Sequence, residues 1–141
     1  MAETIVLGSD HGGFKLKNAI KTHLIDLGYT VKDLGCFTEE SCDYPVIAKA
    51  VANEVLSSQN KGILVCGTGL GMSMAANRFD GIRAAVCTDT FSAKMSRLHN
   101  DANILCLGER VLGQGLAFEL VDIWLNTQFL AGRHKVRIDM I

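Results

Sequence analysis

Five short runs of β-branched and apolar residues recur along the chain, and a segment with helical periodicity separates each run from the next. The runs cover residues 4–9, 30–34, 62–66, 82–88 and 103–107. A strand buried on both faces has a nearly continuous apolar sequence, and strands that alternate with helices form right-handed βαβ units. The alternation therefore predicts an α/β fold, with three α/β/α layers around a five-stranded parallel sheet.

Apolar residues at helical spacing fill the intervals between these runs. In the first interval the stripe ends at Gly28, a residue type that commonly follows the end of a helix. Strand and helix thus alternate throughout, as in a Rossmann-like domain. The stripes consist of Leu16, Ile20, Leu24 and Leu27; Ile47, Val51 and Val55; Phe91, Met95 and Leu98; and Leu116, Leu120 and Trp124.

The size and charge of the chain limit what it binds. Its 141 residues contain no linker or repeat, so we expect one domain over residues 1–141 that ends in a basic tail, residues 132–141. A formal net charge of -1 provides no broad positive field for nucleic acid or a membrane surface. Without a membrane-spanning run of ~18 apolar residues or a basic secretory signal, we expect a cytoplasmic protein.

The spacing of the cysteines and histidines is not typical of metal ligands. Five cysteines, an odd number with no CxxC pair, are typical of reduced thiols rather than of a disulfide framework or a zinc site. The four histidines have no HExxH or similar arrangement. We therefore expect chemistry without a metal or another cofactor. The cysteines are Cys36, Cys42, Cys66, Cys87 and Cys106, and the histidines are His11, His23, His99 and His134.

A glycine-rich loop follows the third run, at the edge of the sheet where ligands of such folds bind. Residues 67–71 read Gly-Thr-Gly-Leu-Gly and open a helix, so their amide N–H groups can converge on an anion. The spacing differs from the GxGxxG of dinucleotide-binding folds, and the lysine of a P-loop is missing. The same pattern also serves close packing of a helix on a sheet, so the motif alone leaves both interpretations open.

Cys66 ends the third run and directly precedes this loop. One interpretation is a buried, small apolar side chain, which is the favoured one for Cys87 and Cys106. The other is a nucleophile or general base, because a helix N-terminus lowers the pKa of a thiol and so favours the thiolate. Position alone distinguishes Cys66 from the other cysteines.

Two further pairs carry groups that can transfer protons. Asp10-His11 follows the first run between glycines, where it can contact sugar hydroxyls or a phosphate, although Asp10 can equally cap the helix that begins near Phe14. His99-Asn100 closes the helix that begins near Thr90, where a histidine with a purely structural role is the alternative.

The basic tail supplies cations for an anionic ligand. Arg133 and Arg137 lie in it, and Arg110 follows the fifth run. Basic termini are usually just solvated, but planar arginine groups are natural anchors for a phosphate. A segment beyond the last helix can extend across the crevice of a neighbouring subunit, which predicts a site shared within a dimer.

These motifs together resemble, over essentially the whole chain, the ribose 5-phosphate isomerase B type of aldose–ketose isomerases, a family that includes galactose and allose 6-phosphate isomerases. One branch of that family uses a glutamate beyond the glycine loop as its base. Residues 72–75 contain no carboxylate here, so the cysteine branch matches. The resemblance rests on residues 8–13, 43–45, 66–71, 73, 76–77, 81–84, 99–103, 108–110, 132–133 and 137.

The resemblance implies roles for individual residues. The residue matching Cys66 is the base that moves a proton between C1 and C2 through an enediolate. The residue matching His99 has the leading role in opening the furanose ring, with Thr68 or Asp10 assisting. Substrate contacts are implied for Asp10, His11, Gly67, Thr68, Gly69, Leu70, Gly71, Asn100, Arg110, Arg133 and Arg137.

Within that set, the amides of residues 67–71 are implied to stabilise the oxyanion, and Asp10 and Asn100 to hold sugar hydroxyls. The phosphate group is implied to be bound by His11 and by the arginines at 110, 133 and 137, some of them from a second subunit. The resemblance further implies a homodimer, often paired into tetramers, and a sheet whose last two strands are exchanged in order.

Three functions remain open at this stage. The first is interconversion of ribose 5-phosphate and ribulose 5-phosphate, and the second is the same chemistry on a hexose 6-phosphate such as allose or galactose 6-phosphate. The third is a phosphosugar-binding module without catalysis, since a fold does not determine a function. The simultaneous presence of Cys66, Thr68 and His99 argues against the third, because binding alone needs no acid–base pair.

Overall fold

The computed structural model describes residues 3–141, and within them five strands form one parallel sheet. The strand order is β2-β1-β3-β5-β4. This confirms the predicted α/β fold and the exchange of the last two strands. The strands are β1 (Thr4–Ser9), β2 (Thr30–Asp33), β3 (Lys61–Cys66), β4 (Ala84–Val86) and β5 (Ile104–Gly108).

Helices connect the strands, and a single 3-10 turn, His11–Gly13, leads into the first of them. The second helix has Pro45 in its first turn, where the missing N–H of proline costs no helical hydrogen bond. No helix of residues 3–141 is long and apolar enough to cross a membrane. The helices are α1 (Phe14–Asp26), α2 (Tyr44–Ser58), α3 (Leu70–Ala76), α4 (Thr90–Leu98), α5 (Gln114–Leu125) and α6 (Arg133–Ile138).

The helices cover both faces of the sheet because successive side chains of each buried strand point to opposite faces. On one face Leu7, Ile63 and Leu105 pack with α1, α4 and α5, and Trp124 is fully buried there. On the other face Val6, Leu64 and Ile104 pack with α2 and α3. The two apolar layers make the sheet a rigid support for the loops at its edges.

The fourth strand is shorter than the seven residues that the sequence predicts. It covers Ala84–Val86 at the edge of the sheet. The amide of Ile82 donates to the carbonyl of Phe79 at 3.1 Å, and the amide of Arg83 donates to Oδ1 of Asn103 at 2.8 Å. These bonds hold residues 82–83 outside the sheet ladder, so the strand begins at Ala84.

The basic tail is folded rather than extended. Arg133–Ile138 form α6, and the amide of Leu130 donates to the carbonyl of Leu98 at the end of α4 at 3.1 Å. The tail therefore packs on α4 of its own chain. Whether it also meets a second subunit stays a prediction.

One expectation about the cysteines is wrong. The loop between β2 and α2 folds back on itself, so that the Cα atoms of Cys36 and Cys42 lie 6.9 Å apart and the two residues form a disulfide. The odd number of cysteines and the lack of a CxxC pair gave no sign of this, because the pairing depends on the course of the loop. Cys66, Cys87 and Cys106 are free and buried.

Candidate active site

The crevice lies between β1 and β3, which are neighbours at the centre of the sheet. From β1 the chain continues outward to β2, whereas from β3 it continues towards the other edge, so the loops after these strands diverge and leave space for a ligand. The loops are tightly packed at their base. A Cβ atom added to Gly12 would lie 3.4 Å from the amide nitrogen of Gly67.

Cys66 is the last residue of β3, and its thiol is fixed against the glycine loop. The side chain is 6% exposed and packs with Met72 on the α2 and α3 face. Its Sγ accepts a hydrogen bond from the amide of Gly69 at 3.1 Å. This hydrogen bond fixes the sulfur at the start of the glycine loop.

The glycine loop uses part of its own hydrogen-bonding capacity. Gly69 precedes α3 with φ of +84°, a conformation that disfavours any other residue. Its amide binds Cys66, and the amide of Leu70 donates to Oγ1 of Thr68 at 3.2 Å. Of the amides expected to face an oxyanion, those of Gly67, Thr68 and Gly71 make no hydrogen bond within residues 3–141. Of the five amides predicted to face an oxyanion, these three are therefore available as donors.

Asp10 and His11 lie on the other side of the crevice, after β1. Oδ1 of Asp10 accepts from the amide of Gly13 at 3.1 Å, so this residue does cap the turn before α1. Nδ1 of His11 accepts from the amide of Cys42 at 3.2 Å. Nδ1 also lies 3.4 Å from the carbonyl oxygen of Cys42, so the backbone of Cys42 orients the ring and leaves Nε2 for a ligand.

The loop after β5 completes this group of residues. The amides of Glu109 and Arg110 donate to the carbonyls of Cys66 and Gly67, at 2.9 and 3.0 Å. The Arg110 side chain lies against Gly67, with Cδ 3.6 Å from the position of an added Cβ. From the sequence, Glu109 is recognisable only as part of a motif, because its contact with α1 has no local signature.

A second group of predicted residues lies at the end of α4. His99 ends this helix, and its ring stacks on that of His134 from α6, with centroids 4.1 Å apart. The two rings border a concavity of about 380 Å³ whose lining contains no Asp or Glu side chain. The lining residues are His99, Asn100, Arg133, His134, Arg137, Ile138 and Ile141.

The charges of this concavity favour an anion. Burial lowers the pKa of His134, and the positive charges of His99, Arg133 and Arg137 lower it further. No ion pair of residues 3–141 involves Arg133 or Arg137, and the same holds for Arg110 at the other group. Unpaired arginines are free to bind a phosphate. No group of His, Cys, Asp or Glu within residues 3–141 is arranged to hold a metal ion.

The two groups lie at opposite edges of the sheet. Helix α4 begins beyond the carboxyl end of β4 and runs back to the amino edge, where His99 precedes β5. In register, Ile104 at the start of β5 faces Gly62, whereas Gly108 at its end faces Cys66. Four residues of strand span about 13 Å. The structure thus brings Cys66, Thr68, Asp10 and Arg110 to one edge and the His99 group to the other.

The fold is that of a doubly wound α/β protein, with Cys66 and Arg110 at its switch point and a second group, which contains Arg133 and Arg137, at the opposite edge of the sheet. A family model described as Ribose/Galactose Isomerase matches residues 5–141. The chain belongs to this family, as its motifs predict.

The names of individual relatives agree with this family. The chain is 49% identical over 138 residues to ribose-5-phosphate isomerase B of Escherichia coli, covering 97% of this chain and 93% of the relative. It is 39% identical over 140 residues to a D-erythrulose-4-phosphate isomerase of Pectobacterium atrosepticum, covering 98% and 92%. The solved structure of ribose-5-phosphate isomerase B of Clostridium thermocellum has a TM-score of 0.96 and 53% identity, covering 97% and 93%. The expected isomerase class is therefore confirmed, and a module without catalysis is not supported.

Proposed function

We propose that the protein interconverts D-ribose 5-phosphate and D-ribulose 5-phosphate, by ring opening followed by proton transfer between C1 and C2. The observation that carries the proposal is the position of Cys66, the last residue of the central strand β3. Its Sγ accepts a hydrogen bond from the amide of Gly69 at 3.1 Å. The names of the relatives with the highest similarity described above point to the same substrate.

Cys66 is the base in this mechanism. Its thiolate takes the proton from C2 of the open-chain aldose and returns it to C1 of the enediolate, while the hydroxyl proton on the C2 oxygen passes to the C1 oxygen, which gives the ketose. The negative oxygen of the enediolate lies near the amides of Gly67, Thr68 and Gly71, each well-aimed donor contributing roughly 3 kcal/mol to binding of the transition state. Asp10 holds a sugar hydroxyl, and His11 contacts the phosphate through Nε2.

His99 opens the furanose ring by exchanging protons with the ring oxygen and the anomeric hydroxyl. Because this residue lies at the amino edge of the sheet, it cannot serve the Cys66 of its own chain. We therefore assign the active site to two subunits. The His99 group of one subunit, with Asn100, Arg133 and Arg137, covers the Cys66 crevice of its partner.

This assignment makes a homodimer the smallest active unit, alone or paired into a tetramer. Its support is the division of the predicted site residues between the two sheet edges. The unpaired Arg110 beside Gly67 then belongs to the same phosphate site as the partner's cationic concavity.

A hexose 6-phosphate is the second candidate substrate, because the family model covers galactose as well as ribose isomerases. The two candidates differ by one carbon of the sugar chain, which changes the distance between the base and the phosphate site. A crevice closed by a second subunit discriminates between these lengths by transition-state binding, so the ratio of kcat/KM values measures the preference.

The test is a turnover assay on ribose 5-phosphate, allose 6-phosphate, galactose 6-phosphate and D-erythrulose 4-phosphate. We expect the highest kcat/KM for ribose 5-phosphate. We also expect the Cys66→Ala variant to lose at least about a hundredfold in kcat, as is typical when a general base is removed. Cys106→Ala is the matched control, because Cys106 is a buried cysteine of the adjacent strand β5. Wild-type turnover by Cys66→Ala would remove this residue from the mechanism.

A further inference from the structure

Helix α1 has no N-terminal partner of its own. The residue before it, Gly13, has no side chain to cap the helix, and its first turn contains no acidic residue but does contain Lys15. The first amides of a helix lack a partner within the helix and carry a partial positive charge, so an acceptor must come from elsewhere.

Glu109 supplies that acceptor from a distant part of the sequence. Its Oε1 accepts a hydrogen bond from the amide of Leu16 at 2.7 Å, across a separation of 93 residues. The side chain is partly buried, so the contact is shielded from solvent. A carboxylate at this position also complements the positive end of the helix dipole.

The backbone of the same residue binds the loop that carries the proposed base. The amide of Glu109 donates to the carbonyl of Cys66 at 2.9 Å, and the next amide, that of Arg110, donates to the carbonyl of Gly67 at 3.0 Å. One residue therefore joins the Cys66 loop, through its backbone, to the beginning of α1, through its side chain.

The beginning of α1 determines where the ligand groups after β1 lie. The turn His11–Gly13 leads directly into Phe14, and Asp10 caps that turn. A shift of the first turn of α1 thus moves Asp10 and His11 relative to Cys66. Positioning errors of this kind weaken substrate binding and catalysis even when no reacting group is lost.

We propose that Glu109 is a positioning residue of the isomerase, which sets the distance between the Asp10-His11 turn and the Cys66 loop. The proposal rests on the site assigned above. Glu109 itself touches no substrate in this account, because its carboxylate is occupied by the Leu16 amide.

The test compares Glu109→Ala and Glu109→Gln with the wild-type enzyme. Loss of one charge-assisted hydrogen bond predicts an increase in KM for ribose 5-phosphate of about tenfold in Glu109→Ala. We expect kcat to change less than about threefold, since Cys66 keeps its Gly69 contact. The inhibition constant of inorganic phosphate rises in parallel with KM. Glu109→Gln retains an oxygen acceptor and restores values close to those of the wild type.

Asp89→Ala is the matched control for loss of a helix cap. Oδ1 of Asp89 accepts from the amide of Ser92 at 2.7 Å at the start of α4, a helix on the same face of the sheet as α1. We expect this variant to melt at a lower temperature with KM unchanged. If Glu109→Ala fails to fold, Glu109→Asp takes its place, because the shorter side chain cannot reach Leu16 and raises KM in the same way.

An unchanged KM and phosphate inhibition constant in folded Glu109→Ala would overturn the proposal. An equal rise of KM in Asp89→Ala, or a Glu109→Gln enzyme as impaired as the alanine variant, would do so too. The wild-type enzyme in the same assay separates the two hypotheses. Its failure to convert ribose 5-phosphate would contradict the proposed function, whereas normal turnover with an unaffected Glu109→Ala contradicts only the role of Glu109.

Discussion

The imidazole rings of His99 and His134 stack face to face, with centroids 4.1 Å apart and planes inclined by 11°. This contact attaches α6 to the end of α4, next to the hydrogen bond between Leu130 and Leu98. The proposed ring-opening histidine and the arginines of α6 therefore form one unit. The unit lies at the amino edge of the sheet, and in the proposed function it completes a site by meeting the carboxyl edge of another copy.

A site shared between subunits predicts complementation between two inactive variants. Cys66→Ala and His99→Ala homodimers each lack one required residue in every site. A mixed dimer has one site with both residues intact and one site with neither. Random reassembly makes half of the dimers mixed, so we expect about a quarter of the wild-type activity after the variants are mixed under dissociating conditions and returned to assay buffer.

The control for this experiment is each variant taken through the same procedure alone, together with the double variant mixed with wild type. A dimer of wild type with the double variant contains no intact site, because each of its sites lacks either Cys66 or His99. Mixtures of the single variants that stay as inactive as their components would contradict the shared site.

Arg137 is predicted to bind the phosphate group of the substrate. It lies in the cationic concavity and takes part in no ion pair of residues 3–141, whereas Lys135 on the same helix pairs with Asp139. Charge-assisted hydrogen bonds predict a rise in KM of roughly tenfold to a hundredfold for Arg137→Ala. Lys135→Ala keeps the wild-type KM, and steady-state kinetics on ribose 5-phosphate measure both. An Arg137→Ala enzyme with the KM of the control would exclude the arginine from the phosphate site.

We expect the folded protein to lose stability in mild acid because of His134. Its pKa in the folded protein is lowered by burial, with the charges of His99, Arg133 and Arg137 acting in the same direction, whereas the unfolded chain has the ordinary value of 6.5. A lowered pKa means that the unfolded state binds the proton more readily. The unfolded state is therefore favoured increasingly as the pH falls through 6.5 towards the folded-state pKa.

Melting temperatures from about pH 8 to about pH 5 test this effect on the wild type and on His134→Asn, which cannot be protonated. We expect the wild type to lose more stability than the variant over this range. Parallel curves for the two proteins would show that His134 does not contribute.

The sheet and the glycine loop were predictable because their signals are local. Apolar runs alternate with helical stripes, and Cys66 is the last residue of a run directly before Gly67. The separation of His99 from Cys66 follows from topology rather than from any motif, because a helix between two parallel strands returns to the amino edge. Motif residues that stand in order along a chain need not meet within one copy of it.

Features that depend on tertiary packing or on the path of a loop could not be predicted from the sequence. The bond of Glu109 to Leu16 depends on how the loop after β5 meets the first turn of α1, and neither residue carries a sequence signal for it. The Cys36–Cys42 disulfide depends on the path of a loop in the same way. The folding of the tail as α6 was missed because residues 133–138 are mostly charged and lack an apolar stripe.

The cysteines themselves give a last prediction, because the structure places them in three environments. Burial raises the pKa of the Cys87 and Cys106 thiols, and Cys36 is bonded to Cys42. Cys66 alone combines a free thiol with an amide donor on its sulfur and a position at the crevice. We expect iodoacetamide at neutral pH to modify Cys66 first and to abolish turnover at the same rate, with substrate slowing both. Peptide mass spectrometry identifies the site, and inactivation that tracks labelling of Cys87 or Cys106 instead would contradict the assignment of the base.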